Sequence, residues 1–430
     1  MFVATEHNGL AKTTSYKVVL PFYAYSAFSF LVATALLVLA APAFTQHYFH
    51  PQVLAITHIM TLGWGTMTIL GASHQLVPVL IEGKLYSDTL ALLSFALAAI
   101  GIPMLVYGFY VFNMGDMAQW GGELVVTAVL LYFMNLVASI LKSKKWNIQA
   151  LFVLTATIWL LITVSLGLLL VFNFNSPILT KDSFHYVSLH AHLGVAGWFL
   201  FLIVGVGSRL IPMFLISKYD NKRLLRRIYF MLNAGLISFA IIFIYSKSKL
   251  PFLIPLSAIG VSVLLFLSYC RQAYRQRLRR KVDEQMSISL LSVLMMLIPL
   301  LMLMAVVALY FGSSKQTASL VFVYGFSIFF GWITALIFGM TFKTLPFIVW
   351  NKVYYQLAGK GKTPNPKDLF SSTLFRVMSI AYIIGFVLFS AGILLKAAML
   401  LQVAATLLFL SAVLYNWNVI GVLTHRPVLR

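Results

Sequence analysis

Four of the nine histidines lie inside long apolar segments of the chain, and their type and position make them the best candidates for chemistry. They are His58, His74, His190 and His192. An ionisable side chain inside a membrane-type segment is costly and marks a functional site by default. Neutral imidazole is also the commonest metal ligand in proteins. A histidine that only hydrogen-bonds to a neighbouring helix is the alternative interpretation.

The spacing of these histidines limits how they can combine. His58 and His74 would lie about 24 Å apart along one helix, which is too far to bind one metal. His190 and His192 are two residues apart and therefore point to nearly opposite sides of their helix. One of the two can face His58 at similar depth. We therefore predict a site near the outer membrane face, formed by His58 with either His190 or His192.

The segments around this predicted site are rich in Met, Phe, Tyr and Trp. Such a lining suits a large, flat and apolar cofactor such as haem b, although the same residues also fill ordinary membrane helices. A metal ion bound through His190 or His192 is a second candidate. The single cysteine, Cys270, excludes a metal cluster built from cysteines.

A second group of polar residues is predicted near the cytoplasmic ends of the same helices: His74, Gln75, Arg209 and Lys343. All ten Asp and Glu residues lie in the N-terminal segment, in connections or at helix ends. Ion-coupled transporters usually carry carboxylates in mid-membrane, so the pattern argues against that class. A polar cluster that binds an anion at the cytoplasmic mouth of a channel remains an alternative.

The composition predicts the elements that must position these residues. The chain is 61% hydrophobic and only 10% charged, whereas soluble domains are about half apolar and a quarter charged. Twelve apolar stretches reach the roughly 20 residues that a spanning helix needs. We expect an all-α, multi-pass membrane protein in contact with the lipid bilayer.

The distribution of Lys and Arg predicts the orientation of the helices. With the N-terminus in the cytoplasm, 24 of the 31 basic residues fall in the termini and inner connections, and five fall in outer connections. This asymmetry predicts that both termini are cytoplasmic. It also explains the net charge of +21 without a nucleic-acid partner.

A motif recurs three times at a constant offset of 134 residues. Gly63-Trp64 is followed by Gly197-Trp198 and Gly331-Trp332, and a second glycine and a proline recur at the same offset. The chain is therefore predicted to contain three four-helix units, at residues 1–147, 148–284 and 285–430, related by a pseudo-threefold axis.

Twelve helices in three four-helix arcs, with a histidine near the outer face of the second helix, resemble the haem–copper oxidase catalytic subunit (subunit I). The stretch from His58 to Pro78, which ends in GASHQLVP, is most similar to the nitric-oxide reductase and cbb3-type branch. The His190-Ala191-His192 element resembles the His-x-His motif of the NnrS proteins. The resemblance implies that His58 binds a low-spin haem and that His190 or His192 binds copper or another metal.

The sequence departs from this family at two helices. The seventh helix lacks the histidine pair that completes the metal centre, and the tenth has Phe326 and Lys343 instead of histidines that ligate both haems. We therefore expect one His-ligated centre in a bacterial cytoplasmic (inner) membrane that handles electrons, O2 or NO without turnover at respiratory rates. Other respiratory or redox subunits are possible partners. The alternatives are a cofactor-free transporter or channel, or an assembly or scaffold subunit.

Overall fold

The computed structural model describes residues 14–143, 146–312, 318–357 and 363–427. The chain termini, predicted to be cytoplasmic, lie outside these ranges. Within the described residues the protein is helical and has no β-strand, and twelve helices are long and apolar enough to cross a membrane. In chain order they are α1 (Tyr16–Leu39), α2 (Pro51–Leu80), α3 (Asp88–Tyr110), α4 (Asp116–Leu141), α5 (Ile148–Asn175), α6 (Ser183–Leu215), α7 (Lys222–Tyr245), α8 (Leu250–Arg275), α9 (Glu284–Phe311), α10 (Ala318–Leu357), α11 (Ser372–Leu395) and α12 (Ala398–Leu423).

Side-chain caps define where many of these helices begin. Asp182, for example, accepts a hydrogen bond from the backbone N–H of His185 at 2.9 Å, at the start of α6. Asn147 caps α5 in the same way through the N–H of Ala150. A cap of this kind satisfies an N–H group that has no partner inside the helix, so the polar residues of the connections fix the helix starts.

Three helices form the interior of the bundle. In their most apolar windows, 72% of α2, 72% of α6 and 67% of α10 is buried, whereas no other spanning helix exceeds 50%. The most apolar windows of the other nine helices are between 22% and 50% buried, so these helices expose more of their surface. The helices that carry the repeated motif are therefore the central ones.

Each central helix contains a π-helical segment at the repeated Gly-Trp motif. The segments are Ile59–Thr66, Leu193–Leu200 and Ser327–Ile333. They begin 134 residues apart, directly after His58, His192 and Phe326. π-Helical turns widen a helix and often occur at functional sites. The part of the bundle that contains these three segments is therefore a candidate location for a functional site. The division into three units remains a prediction.

Candidate functional site

His58 on α2 and His190 on α6 lie close together inside the bundle. Their ring centroids are 6.3 Å apart, and the ring planes lie within 17° of parallel. The two side chains meet although the residues are 132 positions apart in the sequence. Of the two histidines left open by the spacing, His190 is the one that meets His58.

Backbone carbonyl groups fix the tautomer of both rings. The Nδ1 of His58 donates to the carbonyl of Leu54 at 2.8 Å, one turn earlier on α2. The Nδ1 of His190 donates to the carbonyl of Thr163 on α5 at 3.1 Å. A neutral imidazole that donates through Nδ1 keeps a lone pair on Nε2, which is the arrangement that metal-ligating histidines use. No hydrogen bond joins either Nε2 to a described residue.

A glycine on α5 makes room for the His190 ring. A Cβ atom added to Gly167 would lie 2.8 Å from Cε1 of His190. This distance is too short for two carbon atoms in contact, so any side chain at this position would displace the imidazole. His190 is thus held by α5 on one side, through both Gly167 and the carbonyl of Thr163. On α2, the ring of Phe109 from α3 packs against His58 with centroids 4.5 Å apart.

The two imidazoles line a cavity enclosed by α2, α3, α4, α5 and α6. The cavity has a volume of about 240 Å³ and is partly open to the surroundings. Most lining residues are aliphatic or aromatic, and the polar ones besides the histidines are Tyr48, Thr57, Thr61, Thr163 and Ser183. The lining includes no Lys, Arg, Asp or Glu. The cavity therefore suits a large apolar ligand that is fixed by a few polar groups.

His192 lies on the other side of α6 and does not line this cavity. Its ring is 5.2 Å from that of Phe239 on α7 and 6.0 Å from that of Tyr324 on α10. Its Nδ1 donates to the carbonyl of Ser188 at 2.7 Å. Within the described ranges, no three His, Cys, Asp or Glu side chains lie close enough to hold one metal ion. His190 and His192 are thus separated by the body of α6.

The corresponding position on α10 is filled by aromatic packing. The Phe326 ring is nearly parallel to those of Phe330, Phe386 and Phe389, with centroids 4.8, 5.8 and 4.5 Å away. The family resemblance implies a low-spin haem between the second and tenth helices. In this structure His58 has its partner on α6 instead, and phenylalanine rings occupy the space beside Phe326.

The four residues predicted to cluster on the cytoplasmic side are not joined to one another. Among the described residues, no hydrogen bond, ion pair or ring contact links any two of His74, Gln75, Arg209 and Lys343. The His74 ring packs between Phe22 and Tyr132, with centroids 5.3 and 5.4 Å away. These residues lie at similar positions along three different central helices. A similar position along the helix axis does not by itself bring two side chains into contact.

Lys343 forms an ion pair with Asp283, which precedes α9. Arg279 lies 3.1 Å from the same carboxylate, and the backbone N–H of Met286 donates to it at 3.0 Å. Burial alone would raise the pKa of Asp283, but the hydrogen bond and charge of Lys343, the Met286 N–H and the charge of Arg279 outweigh it. The pKa of Asp283 is therefore lowered. The ammonium group also lies 5.4 Å from the ring centre of Phe214 on α6.

Sequence reasoning missed two residues of the outer site. Gly167 and Thr163 both lie on α5, in a run of apolar residues with no repeated motif or unusual polarity. Thr163 contributes through its backbone carbonyl, which every residue has, so its residue type carries no signal. Gly167 is one of 26 glycines, and only the position of the His190 ring distinguishes it from the others.

The chain is similar in fold to a haem–copper terminal oxidase whose dimer was determined by cryo-EM. The similarity covers 97% of this chain and 86% of that chain, with a TM-score of 0.55 and 11% sequence identity. No family model matches the sequence, and no curated protein matches it. At this level of identity the likeness shows a shared fold.

Proposed function

We propose that this protein binds one haem b through His58 and His190 and carries electrons within a bacterial cytoplasmic membrane. The observation that carries the proposal is the pair of nearly parallel imidazoles with centroids 6.3 Å apart. An imidazole nitrogen lies about 2 Å from a metal that it binds, so two imidazoles on opposite sides of one metal atom have ring centres roughly 6 Å apart. The spacing in this structure matches that requirement.

The surroundings of the two histidines fit haem better than copper. His58 and His190 would be sufficient to hold a haem, whereas protein copper sites usually add further His, Cys or Met ligands. The cavity beside the two imidazoles is mostly apolar, as a porphyrin ring requires. Its lining has no arginine for the propionates, so the hydroxyl group of Tyr48 would take that role.

Bound haem supplies a one-electron redox couple, and the residues of this chain determine how it is used. With His58 and His190 both holding the haem, the site would be closed to O2 and NO. The carbonyls of Leu54 and Thr163 would hold the two ligands in one tautomer. The arrangement favours electron transfer over reduction of a gas. Other redox subunits are the natural partners for such a carrier.

The alternative of an anion channel receives less support. It requires Arg209 and Lys343 to be free to bind an anion together. Instead, Lys343 pairs with the carboxylate of Asp283, and no contact joins it to Arg209 in the described residues. The paired lysine has a structural role in joining α9 and α10.

Haem content tests the proposal most simply. The protein is purified from a host that makes haem, and the haem-to-protein ratio is measured for wild type, His58→Ala, His190→Ala and His192→Ala. We expect haem in the wild type and in His192→Ala, and at least a tenfold loss in the other two variants, in line with the cost of losing an essential ligand. His192→Ala is the matched control, because it removes an imidazole two residues away on the same helix. Haem that is lost only in His192→Ala, or retained in all variants, would contradict the proposal.

A further inference from the structure

Two buried tryptophans bind threonines on neighbouring central helices. The Nε1 of Trp198 on α6 donates to the hydroxyl of Thr66 on α2 at 3.1 Å. The Nε1 of Trp64 on α2 donates to the hydroxyl of Thr334 on α10 at 3.0 Å. All four side chains are at most 3% exposed. These two hydrogen bonds lie deep in the bundle and tie α6 to α2 and α2 to α10.

The two hydrogen bonds have the same pattern. A third bond of this pattern, between α10 and α6, is absent from the described residues. In each case the acceptor lies two residues after the tryptophan of its own helix: Thr66 follows Trp64, and Thr334 follows Trp332. The residue two positions after Trp198 is Leu200, which has no hydroxyl. The Nε1 of Trp332 is buried and has no hydrogen-bond partner. Among the described residues, this type of hydrogen bond therefore joins α2 to α6 and α2 to α10 but not α6 to α10.

The Trp198–Thr66 bond joins the two helices that carry the facing histidines, at the same distance below each of them. Thr66 lies eight residues after His58, and Trp198 lies eight residues after His190. Eight residues correspond to about 12 Å along a helix. Trp198 also lines the cavity that contains both imidazoles. The bond thus fixes the separation and rotation of α2 and α6 close to the floor of the site.

We infer that Trp198 and Thr66 are positioning residues for the haem ligands. This inference rests on the proposed haem site. Neither Trp198 nor Thr66 would itself bind the haem. Their hydrogen bond holds α2 and α6 in the register that places His58 opposite His190. The Trp64–Thr334 bond is chemically the same, but it joins α2 to α10, which carries no ligand, and so it has no such role.

The chain offers a matched control for this inference. Thr66→Val and Thr334→Val each replace a buried hydroxyl with a methyl group of similar size and leave one tryptophan N–H unpaired. Thr66→Ser keeps the hydroxyl and serves as the rescue variant. For each protein we measure the dissociation constant for haem after removal and titration, and the low-spin fraction in the ferric absorption spectrum.

We expect Thr66→Val to weaken haem binding about tenfold, as the loss of a supporting contact around a metal ligand typically does, and to add a high-spin component. Thr66→Ser and Thr334→Val should stay within about twofold of wild type in affinity and remain low-spin. Equal effects of Thr66→Val and Thr334→Val would overturn the positioning role while leaving the haem site intact. A wild-type protein that binds no haem would overturn both.

Discussion

The imidazole planes of His58 and His190 lie within 17° of parallel, and their centroids are 6.3 Å apart. This relationship joins α2 and α6, although the family resemblance implies a haem between the second and tenth helices. The tenth helix has no histidine at the equivalent position, and the rings around Phe326 fill that space. The histidine pair of this chain therefore lies between α2 and α6 and not between α2 and α10.

Replacing Gly167 with alanine should disrupt the site. The added Cβ atom would lie 2.8 Å from Cε1 of His190, and the ring cannot yield without leaving the carbonyl of Thr163. We expect at least a tenfold loss of haem affinity, measured by titration of the haem-free protein. Gly122→Ala is the control in the same cavity, because its Cβ atom would meet the flexible end of Leu168. Similar affinities for the two variants would show that Gly167 has no special role.

Replacing Phe326 with alanine should affect stability without affecting the cofactor. The ring is 3% exposed and packs against three parallel phenylalanines. A buried Phe→Ala substitution costs about 3–5 kcal/mol, so the unfolding midpoint in mild denaturant should fall clearly. The Soret band of the folded protein should not move. A shifted or absent band at full folding would place the cofactor beside α10 and contradict the site assigned to α2 and α6.

Leu200 allows a direct test of the predicted repeat. If α6, α2 and α10 are equivalent, Leu200 occupies the position of the acceptor that Trp332 lacks. Leu200→Thr and Leu200→Val have nearly the same shape, and only the threonine supplies a hydroxyl. We expect the threonine variant to be more stable by about 1 kcal/mol, the usual value of one added hydrogen bond. Equal stabilities of the two variants would contradict the pseudo-threefold relationship at this position.

The Asp283–Lys343 ion pair should make stability sensitive to acid. The folded-state pKa of Asp283 lies below its ordinary value of 3.8, so its contribution is complete above that value and is lost as the pH falls toward the lowered pKa. Asp283→Asn should abolish this part of the pH dependence and leave the lysine without its partner. The double variant Asp283→Asn with Lys343→Met should be more stable than Asp283→Asn alone. Thermal unfolding between pH 2 and pH 6 measures both effects, and an unchanged pH profile in Asp283→Asn would count against the pair.

The sequence was sufficient to predict the twelve spanning helices, because runs of about 20 apolar residues have few alternatives. It was also sufficient to place His58 near the histidines of the sixth helix. It could not decide between His190 and His192, since both lie at the required depth. The choice depends on how α6 is rotated, and in the structure His190 packs against Thr163 and Gly167 of α5.

The predicted cytoplasmic cluster rested on equivalent depth along three helices. Among the described residues, the side-chain contacts of His74 and Lys343 are with residues outside the cluster. His74 packs against α1 and α4, and Lys343 reaches Asp283 before α9. The sequence pattern specifies the position of a residue along the helix axis. Contact between two side chains also depends on the side of each helix from which they project.

Low-temperature electron paramagnetic resonance of the purified ferric protein tests the central claim most directly, because the signal reports the axial ligands of the iron and their mutual orientation. Two nearly parallel imidazoles from His58 and His190 predict a rhombic low-spin signal typical of two-histidine ligation, lost in His190→Ala and preserved in His192→Ala. A high-spin signal in the wild type, or a protein isolated without haem from a host that supplies it, would contradict the account.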